Sequence, residues 1–377
     1  MTSISRPSRP PEDLRGGYGQ PPRPSLPVTI DMTRFEATVL RLERLAPDVV
    51  GLVLVPGPQV RFSYRPGQYL SVLLPEDHRR SFSMASAGGG GRPIELHVRR
   101  RPGGRFSDIT LANLQPGDRL WLEGPFGQVD WREGRGPVIL MGTGTGVAPL
   151  KALLEHGLAR DGARAIHLYW GARVPTDHYL GAYLEQLARR HARFRFTPLL
   201  SRADAGWMGR RGYVQDAVAE DFADLHDAQL YACGSPDMIH AARERLSRLP
   251  GFHEDRFQAD AFEPAATLTD DPLLPFVRLS IHMRGANREV QGRAGGSLLA
   301  ALQAASAPIL SICGGRASCG TCKVNVTEAW RERLPPPART ERRLLANLDD
   351  IGPGDRLACQ IRLTPQTDGL TVRLVCP

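Results

Sequence analysis

The chain has 377 residues, a formal net charge of +8 and 41% hydrophobic residues, which suits two or three globular domains with ordinary cores. No stretch approaches the roughly 18 apolar residues of a membrane span, and the N-terminus "MTSISRPSRPPEDLRGG" lacks the apolar segment of a secretory signal. We therefore expect a cytoplasmic protein whose thiols stay reduced. Of the 48 basic residues only Lys151 and Lys323 are lysines, and the arginines are scattered, which argues against a nucleic-acid-binding surface.

The first half of the chain divides into a tail and a strand-rich domain. Residues 1–33 contain seven prolines and four arginines without apolar periodicity, so a disordered tail is predicted. Residues 34–134 contain six short segments with strand character, separated by Pro and Gly, and one helical stretch, "SDITLANL". This pattern predicts a small antiparallel β-barrel or sandwich.

The second half changes pattern twice. Residues 135–264 alternate apolar strands such as "PVILMG" and "AIHLYWGA" with helical stretches, one of which is "DHYLGAYLEQLARRH", as in a parallel α/β sheet. Residues 265–274 lie in a segment rich in Pro, Asp and Thr that predicts a linker. Residues 275–377 carry "FVRLSIHM" as a strand, "SLLAALQAA" as a helix and a cysteine cluster. The sequence therefore predicts a multidomain protein.

Two short motifs carry nucleotide-binding chemistry. "MGTGTGVAPL" places Gly142, Gly144 and Gly146 between a buried strand and a helix, where the backbone can approach a pyrophosphate. "RRSFSMAS" places Arg80 and Phe82 on one face of a strand, as a cation and a ring for a phosphate and a flat cofactor. Taken singly, each motif also fits an ordinary turn or barrel strand.

Eight motifs occurring in a fixed order resemble the ferredoxin-NADP reductase superfamily of flavoproteins. They span about residues 34–265 and are "RPGQY", "RSFS", "GGRFS", "GPFG", "GTGTGVAP", "YWGAR", "YACGSPDMI" and "DAFEP". The resemblance implies an antiparallel barrel that binds flavin and a parallel-sheet α/β domain that binds a nicotinamide nucleotide. FAD is the expected flavin, with FMN as the alternative, because most of the superfamily uses FAD.

The resemblance also implies roles for individual residues. Ser83 and Cys233 are expected beside the reacting rings of flavin and nicotinamide. Phe82 stands where the family usually has a tyrosine, so it keeps the ring and lacks the hydroxyl. The residues expected to contact flavin or nucleotide are Arg80, Ser81, Phe82, Ser83, Gly103, Gly104, Ser107, Gly142, Thr143, Gly144, Gly146, Asp177, Cys233, Gly234, Ser235, Pro236 and Phe262.

The nucleotide preference rests on opposing signals. Asp177 would repel a 2′-phosphate and suits NADH, whereas Arg173 could serve a phosphate. The cations and hydroxyl that suit NADPH also include Ser201, Arg202, Arg210 and Arg211. "YWGARVPTDHYL" looks like the corresponding segment of NADH-using oxygenase reductases, which favours NADH. The alternative interpretation makes Asp177 a helix cap or an acid in the first helical turn.

Four cysteines predict a metal centre in the last domain. Five residues separate Cys313 from Cys319, two separate Cys319 from Cys322, and 36 separate Cys322 from Cys359. Three thiolates on one Gly-rich loop and one distant thiolate suit a [2Fe–2S] cluster, with structural zinc as the alternative. The spacing resembles adrenodoxin-type ferredoxins, which implies an α+β β-grasp ferredoxin domain.

These features predict a reductase that passes electrons from NADH through flavin and [2Fe–2S] to a separate protein. By resemblance, the acceptor is an oxygenase or the dehydrase of a deoxysugar pathway. Residues 275–377 carry fourteen Arg plus Lys against eight Asp plus Glu, so an acidic docking patch is expected on the partner. The alternatives are a diaphorase-like reductase of small acceptors and a redox sensor without turnover.

Overall fold

The computed structural model describes residues 33–75, 79–88, 93–101, 104–160, 164–262, 274–283, 286–310, 315, 317, 320–346, 348 and 351–374. They belong to one compact unit, Asp31–Pro377. The predicted tail lies outside the described residues except for Thr33, and the predicted linker lies outside them except for Leu274.

The first domain is a six-stranded antiparallel sheet in the order β4-β3-β6-β1-β2-β5. A bridge between Met84 and Leu96 joins the two edge strands, so the sheet closes into a barrel. Apolar side chains at alternate positions, among them Leu52, Leu70 and Leu122, fill its interior. Its strands are β1 (Thr33–Ala46), β2 (Val49–Pro56), β3 (Tyr69–Leu73), β4 (Arg79–Ser83), β5 (Ile94–Arg99) and β6 (Arg119–Phe126). A π-helical turn (Arg105–Thr110) and α1 (Leu111–Asn113) precede β6, where a helical stretch is predicted.

The second domain is a parallel sheet in the order β10-β9-β8-β7-β11-β12 with helices packed against it. Its central strands are buried on both faces, which explains their continuous apolar sequences. The strands are β7 (Val138–Thr143), β8 (Ile166–Ala172), β9 (Phe194–Leu200), β10 (Arg210–Arg211), β11 (Gln229–Gly234) and β12 (Phe257–Ala261). The helices are α2 (Val147–Arg160), α3 (Gly181–Arg190), α4 (Val214–Asp221) and α5 (Pro236–Leu246).

The third domain is a mixed sheet in the order β14-β13-β17-β15-β16. Only the β13–β17 pair is parallel among the described pairs, and the buried face of α6 packs into the same core, as the predicted β-grasp fold requires. The side chain of Ser297 accepts a hydrogen bond from the amide of Ala300 and caps α6. The strands are β13 (Phe276–Met283), β14 (Ala286–Arg293), β15 (Lys323–Val326), β16 (Asp355–Leu357) and β17 (Leu370–Leu374), and the helices are α6 (Leu298–Ala304), α7 (Glu328–Arg331) and α8 (Arg339–Leu345).

The structure confirms the predicted multidomain class and corrects some elements. The helix predicted from Asp177 begins at Gly181, because a 3₁₀ turn, Pro175–Asp177, comes first. Asp177 is therefore not the cap of α3. Sequence periodicity also missed α4, a helix of only eight residues. None of the helices in the described parts of the chain combines the length and hydropathy that crossing a membrane requires.

Candidate active site and cluster loop

A cleft of about 1310 Å³ separates the barrel from the carboxyl ends of the parallel strands. One wall consists of β4, the end of β5 and the turn that follows. The other consists of the turns after β7, β8 and β11. In open parallel sheets, ligands bind at this carboxyl edge because helix N-termini and loop amides converge there.

The barrel wall is rich in arginine. Arg79 pairs with Glu123, and Arg99 Nε lies 3.1 Å from Asp48 Oδ2. Among the described residues, Arg80 has no acidic partner; its Nη1 donates to the carbonyl of Arg79 at 2.8 Å. Its charge is therefore available to an anionic group in the cleft.

The flat part of the barrel wall is aromatic. The rings of Phe82 and Phe106 lie 5.1 Å apart and both line the cleft. Ser107 Oγ accepts a hydrogen bond from the amide of Arg101 at 3.1 Å, which fixes the turn before the π-helical segment. A Cβ at Gly104 would lie 2.4 Å from Ser107 Oγ, so the wall requires glycine there.

The nucleotide wall consists of closely packed backbone. A Cβ at Gly146 would lie 2.1 Å from the carbonyl oxygen of Cys233, so only glycine lets the start of α2 contact β11. Gly234 has φ +128°, and a Cβ there would lie 2.6 Å from Thr143 Oγ1. Thr143 Oγ1 in turn accepts a hydrogen bond from the amide of Ser235 at 3.1 Å.

The two walls meet where Ser83 Oγ donates to Asp260 Oδ2 at 3.3 Å. Cys233 pairs with Asp260 across the neighbouring strands β11 and β12. The Cys233 thiol is fully buried in an apolar core, and burial together with the charge of Asp260 raises its pKa. The thiol is therefore protonated at neutral pH. It lies inside the nucleotide domain.

The structure places most of the predicted site residues on this cleft, and these are Arg80, Ser81, Phe82, Ser83, Gly104, Ser107, Thr143, Gly144, Asp177, Gly234, Ser235, Pro236 and Phe262. Gly142, Gly146 and Cys233 lie behind the lining, where Gly146 and Cys233 make the strand–helix contact. Gly103 lies outside the described residues. Burial removes the Cys233 thiol from the cleft surface. Its assignment as a catalytic residue stays a prediction.

Sequence reasoning missed other cleft residues, notably His97, Arg99, Arg101, Tyr213 and Gln215. Gln215 is 9% exposed, and its Oε1 atom has no hydrogen-bond partner among the described residues. Such a buried acceptor suits a ligand amino group. Tyr213 and Gln215 both lie where α4 begins. Predicting this helix from the sequence would therefore have indicated both residues.

Asp177 lies at the outer end of the nucleotide wall. Its Oδ2 accepts a weak hydrogen bond from the amide of Arg173 at 3.4 Å, and Ser201 lines the same part of the cleft. Ser201 Oγ donates to the carbonyl of Ala172 at 3.3 Å. The carboxylate and the hydroxyl thus face the same end of the cleft.

Two of the four predicted cluster cysteines are described, and both are buried. Lys323 pairs with Leu357 across β15 and β16, and the amide of Ala358 donates to the carbonyl of Cys322 at 3.0 Å. This register brings the end of the Gly-rich loop beside Cys359. Cys313 and Cys319 lie outside the described residues.

The loop before Cys322 has a backbone suited to enclosing a ligand. Gly315, Ala317 and Gly320 all have positive φ, and a Cβ at Gly315 would lie 3.6 Å from the Cβ of Cys359. A residue in the left-handed region lets the backbone turn tightly, as a loop that encloses a cluster must. The donor set and this backbone fit an iron–sulfur cluster.

The cleft has a cationic, aromatic barrel wall that faces glycine turns of a parallel sheet, and the chain also carries a thiolate loop. Together these features define a flavin-dependent nicotinamide nucleotide oxidoreductase. Three family models match in this order: the oxidoreductase FAD-binding domain over residues 36–131, the oxidoreductase NAD-binding domain over 140–244 and the 2Fe-2S iron-sulfur cluster binding domain over 281–364.

Over the aligned regions, curated relatives are about a third identical to this chain. CDP-6-deoxy-L-threo-D-glycero-4-hexulose-3-dehydrase reductase of Yersinia pestis is 36% identical over 225 residues, which are 59% of this chain and 67% of the relative. Terephthalate 1,2-dioxygenase reductase component 1 of Comamonas sp is 36% identical over 238 residues, 62% of this chain and 70% of the relative.

Solved structures agree with the fold. The Amycolatopsis cytochrome P450 reductase GcoB matches with a TM-score of 0.58 and 32% identity, covering 63% of this chain and 72% of its own. Phthalate dioxygenase reductase matches over 90% of this chain and 98% of its own, with a TM-score of 0.60 and 19% identity, which supports the fold alone.

The chain belongs to the ferredoxin-NADP reductase superfamily, among the flavoprotein reductases that carry a C-terminal [2Fe–2S] domain. It is an NAD(P)H oxidoreductase with FAD and [2Fe–2S] as cofactors and NADH as the electron source. The predictions of family, fold class and cofactors are thus confirmed.

Proposed function

We propose that this chain is the reductase component of an oxygenase system and delivers electrons from NADH to a separate oxygenase. The observation that carries the proposal is the cleft in which Ser83 of the barrel contacts Asp260 of the nucleotide domain. Relatives named as oxygenase reductase components support the nature of the acceptor. Bound flavin supplies the conversion between a two-electron donor and a one-electron cluster.

The barrel wall binds FAD in this proposal. Arg80 neutralises a flavin phosphate, and Phe82 packs against the ring system with Ser81 and Ser83 along the same strand. Gly103, Gly104 and Ser107 form the turn that receives the pyrophosphate. These roles are supported by the arrangement of the described residues around one cationic pocket.

The nucleotide wall binds NADH in this proposal. Amides near Gly142, Thr143, Gly144 and Gly146 receive the pyrophosphate at the start of α2, where helix amides favour negative charge. Gly234, Ser235 and Pro236 form the surface against which the nicotinamide lies.

Further residues complete the nucleotide site. Cys233 supports the nicotinamide surface from behind. Phe262 covers the flavin until nicotinamide enters, and its amide donates to the carbonyl of Gly234 at 2.7 Å. Asp177 accepts a hydrogen bond from the 2′-hydroxyl of NADH and repels a 2′-phosphate.

Four thiolates hold the cluster in this proposal, from Cys313, Cys319, Cys322 and Cys359. The proposed domains are 34–134 for flavin, 135–264 for nucleotide and 275–377 for the cluster, with the tail 1–33 and the linker 265–274 outside them. The excess of six positive charges in 275–377, from fourteen basic and eight acidic residues, supports an acidic docking patch on the oxygenase. Reduced thiolate ligands suit a cytoplasmic compartment.

The test compares wild type with Cys319→Ser in the purified full chain. Wild type should contain one FAD and one [2Fe–2S] per chain and reduce both ferricyanide and cytochrome c with NADH. Cys319→Ser should lose the cluster signal and nearly all cytochrome c reduction but keep ferricyanide reduction. Cys376→Ser is the control, because this cysteine is outside the proposed ligand set.

Each other outcome rejects part of the proposal. One zinc and no iron would exclude the electron pathway. Undiminished cytochrome c and quinone reduction by Cys319→Ser would identify a diaphorase-like enzyme that transfers electrons directly from flavin. A single reduction of the bound cofactors without turnover would identify a redox sensor.

A further inference from the structure

A charged cluster crosses between the barrel and the nucleotide domain beside the cleft. Lys151, on α2, is only 8% exposed. Its Nζ lies 2.8 Å from Glu95 Oε2, 2.9 Å from Glu155 Oε1 and 3.1 Å from the carbonyl of Ala85. Because Ala85 and Glu95 belong to the barrel, this single ammonium group joins the two domains.

The Glu95 carboxylate of this Lys151 cluster remains ionised at neutral pH. Burial acts to raise the pKa of Glu95, but hydrogen bonds from His97 and Lys151 outweigh it and lower the pKa to about 2. Burial likewise opposes the charge on Lys151, yet Glu155 and Glu95 leave its pKa raised. The contact is therefore a genuine ion-pair network.

A second path of contacts runs parallel to the first. His97, which lines the cleft and lies 2.9 Å from Glu95, contacts the Tyr179 hydroxyl at 3.1 Å. Tyr179 packs edge-on against Trp170, with ring centroids 5.2 Å apart. Trp170 Nε1 donates to the carbonyl of Gly144 at 2.9 Å. This path ends at the glycine turn of the nucleotide wall.

The cluster attaches at both ends to the segments that form the cleft. Ala85 follows Ser83 by two residues, and Lys151 lies one turn into the helix that begins at Val147 after the glycine turn. A displacement at Lys151 would therefore move the flavin wall relative to the nucleotide wall.

Stability alone does not account for such a cluster. Removing charges from water costs about as much free energy as pairing returns, and apolar groups of similar volume often stabilise a buried site as well or better. Apolar contacts, however, tolerate sliding, whereas three directional contacts to one ammonium group fix the relative position of the atoms involved. The cluster is better suited to setting geometry than to adding stability.

We propose that Lys151 is a positioning residue for hydride transfer, which holds the barrel and the nucleotide domain at the separation that brings nicotinamide against flavin. This inference rests on the proposed roles of the cleft walls. In this proposal Lys151 contacts neither cofactor and acts through Ala85 and Glu95. Hydride transfer requires reacting atoms about 3–3.5 Å apart, and a misplacement of about 1 Å can cost about 100-fold in rate.

The first experiment compares Lys151→Met with wild type in the flavin-loaded full chain. Lys151→Met should slow flavin reduction at saturating NADH about 10- to 100-fold in anaerobic rapid mixing, with the NADH dissociation constant changed less than about threefold. Arg248→Met is the matched control. It removes a cation whose partner, Glu244 at 2.6 Å, lies in the same domain, and both residues are exposed.

The second experiment reads the domain contact itself, without turnover. Backbone hydrogen exchange should rise in Lys151→Met in the peptides around Ala85 and around the start of α2. The amide of Ala85, which donates to the carbonyl of Glu95 at 2.7 Å, is a direct reporter. Arg248→Met should leave both peptides unchanged.

Glu95→Gln keeps the shape of the cluster and removes its charge from the barrel side. It should slow flavin reduction in the same direction, and the double variant Lys151→Met/Glu95→Gln should lose less than the product of the single effects. If Lys151→Met fails to fold, the flavin reduction rate of Glu95→Gln alone tests the proposal.

The proposal would be overturned if Lys151→Met reduced flavin and exchanged backbone hydrogens at the rates of wild type. It would also be overturned if the two substitutions slowed flavin reduction independently in the double variant. A raised NADH dissociation constant with an unchanged reduction rate would instead make Lys151 a contributor to nucleotide binding and also overturn it. If wild type itself transferred no hydride to flavin, the proposed function would fail, whereas the exchange measurement would still report the contact.

Discussion

The two walls of the cleft are built by different means. The barrel wall presents charged and aromatic side chains, among them Arg80 and Phe82. The nucleotide wall presents backbone, and the residues that shape it, Gly146 and Gly234, have no side chains. Changes to the barrel wall should therefore act through charge, and changes to the nucleotide wall should act through steric exclusion.

This difference follows from what supports each wall. The barrel strands turn alternate side chains inward and outward, so a ligand at their surface meets side chains. The parallel strands end in turns where helices begin, so a ligand there meets amides.

The largest effect is expected at Gly234 on the nucleotide wall. Gly234→Ala forces a Cβ to within 2.6 Å of Thr143 Oγ1 at φ +128°, and such strain alone is worth about 1–3 kcal/mol. kcat/KM for NADH should fall about 100-fold, while flavin content changes little. Gly181→Ala is the control, because its Cβ would meet only ordinary contact distances. A loss below about threefold would contradict the steric account of this wall.

A smaller effect is expected at Arg80 on the barrel wall. Arg80→Ala removes a cation that has no acidic partner among the described residues, and a hydrogen bond to a charged group contributes about 1.5–3 kcal/mol. FAD affinity of the apoprotein, measured by fluorescence titration, should fall about 10- to 100-fold. Arg119→Ala, whose exposed partner is Glu36 at 3.1 Å, should leave it unchanged. Equal losses for both variants would mean that overall charge, rather than this site, attracts FAD.

The outer end of the nucleotide wall also uses a side chain. Asp177→Asn removes the charge that repels a 2′-phosphate, so the ratio of kcat/KM for NADPH to that for NADH should rise about tenfold, or about 1.4 kcal/mol. Asp216→Asn, on α4 and paired with Arg245, serves as the control. If wild type already preferred NADPH tenfold, Asp177 would not set specificity, and Ser201 and Arg202 would become the residues to change.

The smallest effect concerns the contact between the walls. Because the pKa of Glu95 is lowered from 4.5 to about 2 in the folded state, its carboxylate stabilises the fold above about pH 4.5. This contribution should diminish as the pH falls from 4.5 and be absent below about pH 2. Thermal unfolding of wild type and Glu95→Gln should therefore differ at pH 6 and converge on acidification. A difference that stays constant over this range would mean that Glu95 is not paired.

Patterns that are local in sequence predicted much of this molecule. The alternation in "VVGLVLVP" and the apolar run in "PVILMG" determined strands, since each reports burial within one element. The fixed order of short motifs identified the family and most of the cleft. Short elements such as α4 were missed, because eight residues hold too few turns to show a helical period.

The sequence alone was enough to identify the three domains in order and the cofactor classes, because both depend on residue type and spacing along the chain. The contact of Lys151 with Glu95 and Ala85 across the domains, and the place of the Cys233 thiol in an apolar core, became known only from the packing of the folded chain. Lys151 and Glu95 are 56 residues apart. No periodicity or motif links such positions, because their contact arises only when the barrel and the nucleotide domain pack together.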